Sequence, residues 1–315
     1  MSVATARPLH RSDKLLYYSL LPFASIIVAT FILLFIVISY VSFPAIRRYG
    51  TSILTATRWA PNEASPESSV YGLLAPLFGT LVSSTIAVIL ALPVAVSVVL
   101  VLEEYAPQRL REVIGSIIEL MAGLPTIVYG LWGLEVLAPM LRKHVYSPLH
   151  ELLGFIPLFS CRPITGFNLA TAGVLLAIMI LPYMVAVARD AYRSIPFIYR
   201  EAALAIGATR YEYARIMLGL ARPGIIAAAL LGFGRAAGET VAVALVVGNT
   251  PYVGACLFKP AYTVSSLIAN QFANANLYPY MMNVLFFGGL LLLLIGMVAN
   301  TIAVIMIEKV RKRLA

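Results

Sequence analysis

Two residues of opposite charge, Arg235 and Glu239, interrupt an apolar stretch that runs over 223–249. Residues four apart lie on the same face of an α-helix, so the sequence predicts that the two side chains are neighbours. A charge inside a bilayer costs at least about 2.5–3.5 kcal/mol on insertion scales and usually faces a pathway or a partner. The planar guanidinium fork of Arg235 suits an oxyanion. We therefore predict that Arg235 and Glu239 lie on a substrate path.

Mutual neutralisation is a second interpretation of this pair, since buried ions often pair. An acid that follows a base by four residues is the weaker helical order, which favours an external ligand for Arg235. Glu239 could hold Arg235 when the site is empty. It could also accept a hydrogen bond from a protonated phosphate oxygen, which sulfate lacks at neutral pH. Small neighbours fit either close helix packing or a narrow passage; they are Gly232, Gly234, Ala237 and Gly238.

The rest of the chain has the composition of a membrane protein. Of its 315 residues, 61% are apolar and 12% are charged, against roughly 25% charged in soluble domains. Each of four long runs lacks any charged side chain, and a spanning helix needs about 20 apolar residues. We predict an all-α membrane protein with six transmembrane helices, and kinks at Pro76, Pro93, Pro125 and Pro182. The predicted spans cover about 15–43, 71–102, 113–141, 169–188, 223–249 and 279–307.

The distribution of basic residues predicts the orientation of these helices. The segments 1–14, 103–112, 189–222 and 308–315 contain 15 Lys and Arg, whereas the segments on the opposite side contain seven. Basic loops stay in the cytoplasm, so both termini are predicted to be cytoplasmic, in a plasma (inner) membrane. The net charge of +9 then reflects topology, and nucleic-acid binding is not needed to explain it. We assign 1–70 to a first helix with an external segment, and 71–315 to a membrane core.

The longest internal loop, 189–222, contains the triplet Glu201-Ala202-Ala203 followed by Gly207. Residues 199–206 favour helix, and Gly207 can end that helix and admit a turn. A second helix is predicted over 208–218. The loop is therefore expected to form a short helix–turn–helix beside the membrane. In an arbitrary protein, such a loop would be interpreted as an amphipathic connector.

Other chemistry finds little support in the sequence. There is no G-x-x-x-x-G-K-[ST] loop for a nucleotide, and neither the three histidines nor the cysteines have a metal-binding spacing. We expect no cofactor and no metal. Cys161 and Cys256 both fall in predicted external loops, where either a disulfide or two free thiols is compatible with the compartment.

Several segments together resemble permease subunits of phosphate ABC importers, of the PstC type, in the binding-protein-dependent transport permease family. The triplet with Gly207 is similar to the EAA loop of that family, although Gly219 stands after Leu218 where the family usually has proline. The segment Gly-Arg235-x-x-Gly-Glu239-Thr is the feature most specific to phosphate permeases. Further similar segments are Thr57-Arg-Trp-Ala-Pro61, Gly79-Thr-Leu81, Glu104-Tyr-Ala-Pro107 and the run 123–133.

This resemblance implies a type I ABC importer (MetI-like) permease fold that works by alternating access. It implies a transport subunit rather than an enzyme, with ATP hydrolysis on a partner. The implied partners are a PstA-like sister permease, a PstB-like ATPase dimer and an external PstS-like phosphate-binding protein. By position, Arg235 and Glu239 would lie on the phosphate path. Four residues would couple to the ATPase: Glu201, Ala202, Ala203 and Gly207.

Four alternatives stay open at this point. A permease for molybdate, tungstate or sulfate would keep the coupling loop but would not need an acceptor such as Glu239. The sister permease of the phosphate importer is disfavoured by the external Thr57-Arg-Trp-Ala-Pro61 segment. A secondary transporter or channel would work without an ATPase. A signalling subunit of a phosphate importer would have the same sequence features.

Overall fold

The computed structural model describes residues 11–62 and 68–314. Within these ranges the chain is mostly helical, with one small antiparallel sheet. The elements are α1 (Arg11–Tyr49), α2 (Ser52–Thr55), β1 (Trp59–Ala60), β2 (Val70–Tyr71), α3 (Leu74–Leu100), α4 (Gln108–Gly123), α5 (Thr126–Trp132), α6 (Ala138–Leu141), α7 (Ser147–Leu153), α8 (Leu169–Arg193), α9 (Phe197–Ala205), α10 (Arg210–Gly238), α11 (Val241–Val246), α12 (Val264–Gln271) and α13 (Met281–Leu314). Single π-helical turns prolong α3 over Val101–Tyr105 and join α5, α6 and α7 into one helical stretch.

In the described residues, five helices are long and apolar enough to cross a membrane: α1, α3, α8, α10 and α13. A sixth span results if α4 and the stretch Thr126–Leu153 are counted together, because the pair passes the same length and composition criteria. The prediction of an all-α protein with six spans therefore agrees with this structure, provided that the third span is broken.

The third span is not the single helix predicted over 113–141. The chain bends by 93° between α4 and the stretch that begins at Thr126, because Pro125 has no N–H with which to continue the helix. The Tyr129 hydroxyl donates a hydrogen bond of 2.8 Å to the Met121 carbonyl and satisfies part of the interrupted backbone. With 16 residues, α4 is about 24 Å long and cannot cross a bilayer core of about 30 Å alone.

The fifth span also differs from the prediction of 223–249. Helix α10 begins in the internal loop at Arg210, passes through Pro223 and ends at Gly238. Pro223 has no N–H to donate to the Gly219 carbonyl, yet the helix continues through it. Glu239 follows the helix with an extended backbone (φ −67°, ψ 130°). The prediction that Arg235 and Glu239 share one helical face was therefore wrong.

The main core lies between α3, α8 and α10. Small residues bring these helices close together, as is usual where helices meet in a bilayer. A Cβ atom on Gly173 of α8 would lie 2.5 Å from the Ile86 Cγ2 atom of α3, and one on Gly232 of α10 would lie 2.9 Å from the Met184 side chain. The close packing leaves α8 as the most buried of the five long helices.

A second, smaller core joins α1 to α13 at the outer end of the molecule. The strand residue Tyr71 is 2% exposed, and its hydroxyl donates to the Pro279 carbonyl at 2.8 Å. Burial raises the pKa of this phenol above its ordinary value. The Asn283 amide of α13 donates to the Val41 carbonyl of α1 at 2.7 Å. The Asn283 bond and the packing of Ala45 and Tyr49 fix the outer part of α1, whereas most of this helix is exposed.

Cys161 and Cys256 form a disulfide, with their Cα atoms 6.1 Å apart. The bond joins the segment before α8 to the segment between α11 and α12, across 95 residues of sequence. The sequence was compatible with either a disulfide or two free thiols, and the structure contains the disulfide.

Candidate substrate path and coupling helix

Arg235 lies in the last turn of α10 and is exposed on the surface of the single chain. Its guanidinium carbon lies 5.8 Å from the ring centroid of Tyr183 on α8, a cation–π geometry. Among the residues that the structure describes, no ion pair joins Arg235 to Glu239, since Glu103 is the acid in both ion pairs found there. The guanidinium is thus held by an aromatic face and keeps its hydrogen-bond donors for another partner.

Glu239 is partly buried at the break between α10 and α11. Its backbone carbonyl accepts a hydrogen bond of 2.6 Å from the Ser265 hydroxyl of α12. Its carboxylate Oε1 atom accepts a longer bond of 3.4 Å from the Ala242 amide at the start of α11. The Glu239 backbone is therefore fixed, while the second carboxylate oxygen has no partner among the described residues and can accept a further hydrogen bond.

Buried hydroxyls join this break to α3. Thr80 Oγ1 of α3 accepts from the Val264 amide at 2.9 Å, and the Thr263 hydroxyl lies 3.1 Å from that of Ser265. Gly79 allows this approach, because a Cβ atom there would collide with the Tyr262 carbonyl. Thr263 and Ser265 were not predicted from the sequence, and Thr80 was noted only within the similar segment Gly79-Thr-Leu81. The signal that could have found them is the Thr263–Ser266 capping box, which marks a helix start inside the predicted loop.

The small residues near Arg235 differ in their surroundings. Gly232 packs against the Met184 side chain, and Gly234 lies against Asn300 of α13. A Cβ atom on Gly238 would meet nothing within 4 Å. The first two glycines therefore allow close helix packing, whereas Gly238 leaves open space beside Arg235. Close helix packing is thus observed for Gly232 and Gly234, and the narrow passage stays a prediction.

Helix α9 is the short internal helix predicted from 199–206. Its end is well defined, since Gly207 has a positive φ of 75° and the Ala208 and Gly207 amides donate back to the carbonyls of Ala203 and Leu204, as in a Schellman motif. Thr209 then caps α10 in a capping box with Glu212. The second predicted helix, over 208–218, is present but continues into the fifth span.

The exposed side of α9 is apolar. Glu201, Ala202 and Gly207 are exposed, whereas Ala203 is 4% exposed and belongs to the core of this chain. Five large apolar side chains in and around the helix are at least 62% exposed; they are Phe197, Ile198, Leu204, Ile206 and Tyr211. Contiguous exposed apolar residues of this kind usually mark an interaction surface.

The groups near the break after α10 have the charge and hydrogen-bonding types that suit an anion. It combines a cation held on an aromatic ring, a carboxylate with a fixed backbone and a set of hydroxyls. The described residues contain no group of three or more His, Cys, Asp or Glu side chains that could hold a metal ion.

Comparison with known proteins identifies the type of membrane protein. Residues 87–314 match the model of the family described as binding-protein-dependent transport system inner membrane component. A probable phosphate transport system permease protein PstC of Methanocaldococcus jannaschii is 44% identical over 292 residues, 92% of each chain. The PstC proteins of Pasteurella multocida (36% over 277 residues, 86% of this chain and 84% of the relative) and Mesorhizobium japonicum (35% over 239 residues, 74% and 71%) are also similar.

A solved structure supports the fold. The inward-facing MetNI methionine ABC transporter contains a chain that matches with a TM-score of 0.50 and 21% identity, covering 75% of this chain and 94% of the other. At this identity the likeness concerns the fold alone, and it agrees with the predicted MetI-like permease fold. The family match and the relatives that align over most of this chain agree with this fold. The chain therefore belongs to the binding-protein-dependent transport system inner membrane components, the membrane-spanning permease subunits of ABC importers.

Proposed function

We propose that this chain is one of two permease subunits of an ATP-driven phosphate importer, and that it forms part of the phosphate path. The observation that carries the proposal is the similarity over 92% of the chain to a protein named as a probable phosphate transport system permease. The geometry of Arg235 and Glu239 supports the same substrate, because a guanidinium and a carboxylate acceptor together suit an oxyanion that still carries a proton.

The path would lie between this chain and a sister permease. Arg235 and Gly238 both lie on a part of α10 that this chain leaves exposed, and a charge inside a bilayer needs a polar partner or a water-filled cavity. A PstA-like chain against this face would enclose Arg235. Phosphate released by a PstS-like binding protein outside would then pass along the enclosed face.

The exposed side of α9 would dock on a PstB-like ATPase. Glu201 and Ala202 face outward, and the apolar residues around them give the helix a surface that another protein can cover. The Gly207 turn and the Thr209 cap hold α9 against the start of α10. Closure of the ATPase dimer on ATP would displace α9, and the displacement would open the path to the outside.

The test is reconstitution of this chain with a PstA-like sister permease, a PstB-like ATPase and a PstS-like binding protein, in liposomes that contain ATP. We expect uptake of labelled phosphate that needs ATP and is not reduced by a tenfold excess of sulfate or molybdate, since the site selects a protonated oxyanion. Uptake that either competitor abolishes would instead assign the importer to that oxyanion. ATP-independent uptake by this chain alone would assign it to secondary transport.

A further inference from the structure

A cluster of charged and aromatic side chains joins the cytoplasmic ends of α3 and α8. Glu103, in the π-helical turn after α3, is 8% exposed at its side chain, and its Oε1 atom pairs with the Nε atoms of Arg189 and Arg193 at 2.5 and 3.0 Å. These were not among the residues that the sequence singled out for function. One carboxylate thus binds two arginines from successive turns of the neighbouring helix.

The next residue of the same turn makes a second link. The Tyr192 side chain of α8 is completely buried, and its hydroxyl donates a hydrogen bond of 2.7 Å to Glu104 Oε1. A hydrogen bond to a charged acceptor is worth more than a neutral one, and a buried phenol cannot exchange it for water. Relative sliding of α3 and α8 would therefore break interactions at both Glu103 and Glu104.

Helix α9 is attached to this cluster through Arg200. The Arg200 Nη2 atom donates to the Tyr192 carbonyl at 3.3 Å, and its guanidinium carbon lies 5.7 Å from the centroid of the Tyr192 ring. That carbonyl belongs to the last turn of α8, where helix carbonyls have no partner within the helix and a cation is favourable. Arg200 directly precedes Glu201, so the attachment lies next to the predicted coupling triplet.

Toward its N-terminus, α8 reaches the predicted substrate path. Tyr183, whose ring holds Arg235, lies nine residues before Tyr192 on the same helix, a separation of about 14 Å along the helix axis. Between them Met184, Val185 and Ala188 are buried, and α8 packs against α3 and α10. A rigid displacement of the cytoplasmic end of α8 would therefore move the Tyr183 ring and change the position of Arg235.

We propose that Arg200, Tyr192 and Glu104 form a mechanical relay that makes α9, α8 and α3 move as one unit, so that a displacement of α9 reaches Arg235 through Tyr183. The three relay residues are positioning residues, since none of them touches the substrate path. This inference rests on the proposed function, because the relay needs an ATPase that displaces α9.

The test uses the complete importer in liposomes and measures three quantities: ATPase subunits retained per permease, ATP hydrolysed, and phosphate transported per ATP. The relay variants are Tyr192→Phe, which removes only the hydroxyl, and Arg200→Ala, which removes the attachment of α9. Arg200 lies outside the buried core, so its variant remains informative if Tyr192→Phe does not fold. Tyr105→Phe is the matched control, because Tyr105 is 50% exposed and makes no side-chain hydrogen bond within the described residues.

We expect both relay variants to retain the ATPase and to hydrolyse ATP within about twofold of the unmodified complex, while phosphate transported per ATP falls about tenfold, as suits the loss of one charge-assisted hydrogen bond. The control should leave all three quantities unchanged. An unchanged ratio in both variants would overturn the relay and leave the proposed function intact. A loss of ATPase retention in step with uptake would also overturn it, in favour of a role in assembly. An unmodified chain that binds no ATPase would overturn the proposed function and the relay with it.

Discussion

The Ser265 hydroxyl donates a hydrogen bond of 2.6 Å to the backbone carbonyl of Glu239. This bond joins the first turn of α12 to the point where the fifth span ends. Ser265 is only 3% exposed, and Glu239 is partly buried. The bond therefore fixes the backbone where the chain leaves α10, and with it the position from which the Glu239 side chain extends.

Substitution Ser265→Ala should destabilise the protein, because it leaves the Glu239 carbonyl without its partner. A buried carbonyl that loses its hydrogen bond costs about 1–3 kcal/mol. The measurement is the unfolding midpoint of the purified chain in detergent. Ser97→Ala is the control, since Ser97 is exposed and donates to the Pro93 carbonyl of its own helix. Equal midpoints for the two variants would contradict the structural role of Ser265.

Substitution Glu239→Gln should reduce the preference for phosphate over sulfate. A carboxylate accepts a hydrogen bond from a protonated phosphate oxygen, whereas an amide is a weaker acceptor and can also donate to sulfate. We expect the preference to fall about tenfold, or ~1.4 kcal/mol. Competition between labelled phosphate and sulfate in liposomes measures it, with Glu308→Gln as control, because Glu308 is exposed near the cytoplasmic end of α13. Unaltered competition in the Glu239 variant would remove this carboxylate from substrate recognition.

Substitution Gly79→Ala should disrupt the junction between α3 and the segment before α12. The added methyl group would collide with the backbone carbonyl of Tyr262, and an oversized core side chain costs about 1–3 kcal/mol or more. Gly115→Ala is the matched control, because a Cβ atom at that helical position meets nothing within 4 Å. We expect the control to be neutral or slightly stabilising. A Gly79→Ala protein as stable as the control would show that the junction is looser than described.

Replacement of both cysteines by serine should lower the stability of the outer face. The disulfide closes 95 residues of sequence, and removing a bridge over a loop of this size costs about 2–5 kcal/mol. Thiol labelling under non-reducing conditions should find neither Cys161 nor Cys256 free in the unmodified protein. Stoichiometric labelling of both residues would contradict the bridge.

The sequence was sufficient for the features that depend on composition and local pattern. Charge-free apolar runs predicted where the long helices lie, and Gly207 predicted the end of α9, because a glycine with positive φ is a local signal. The Arg235 segment was singled out because a charge in a membrane span stands out against its surroundings. The α9 triplet was singled out by its resemblance to the EAA loop. The roles of both segments stay predictions.

The remaining features depend on contacts between distant segments. The break after Gly238 was missed because residues 240–247 are as apolar as the helix before them. The relation between Ser265 and Glu239 was missed because a serine in a predicted loop carries no sign of its partner. The cluster around Glu103 joins residues 86 and 90 positions apart, and each taken alone is an ordinary cytoplasmic charge next to a span.

The most direct test of the account is phosphate uptake by the reconstituted importer with Arg235→Ala, at equal amounts of permease in the membrane. Loss of a charged partner in an enclosed site costs about 2–5 kcal/mol, so we predict that uptake falls at least about thirtyfold. Arg235→Lys should recover only part of it, because lysine keeps the charge but not the planar fork. The exposed Arg142→Ala should transport normally. An Arg235→Ala complex that transports phosphate at the unmodified rate would contradict the assignment of Arg235 to the path.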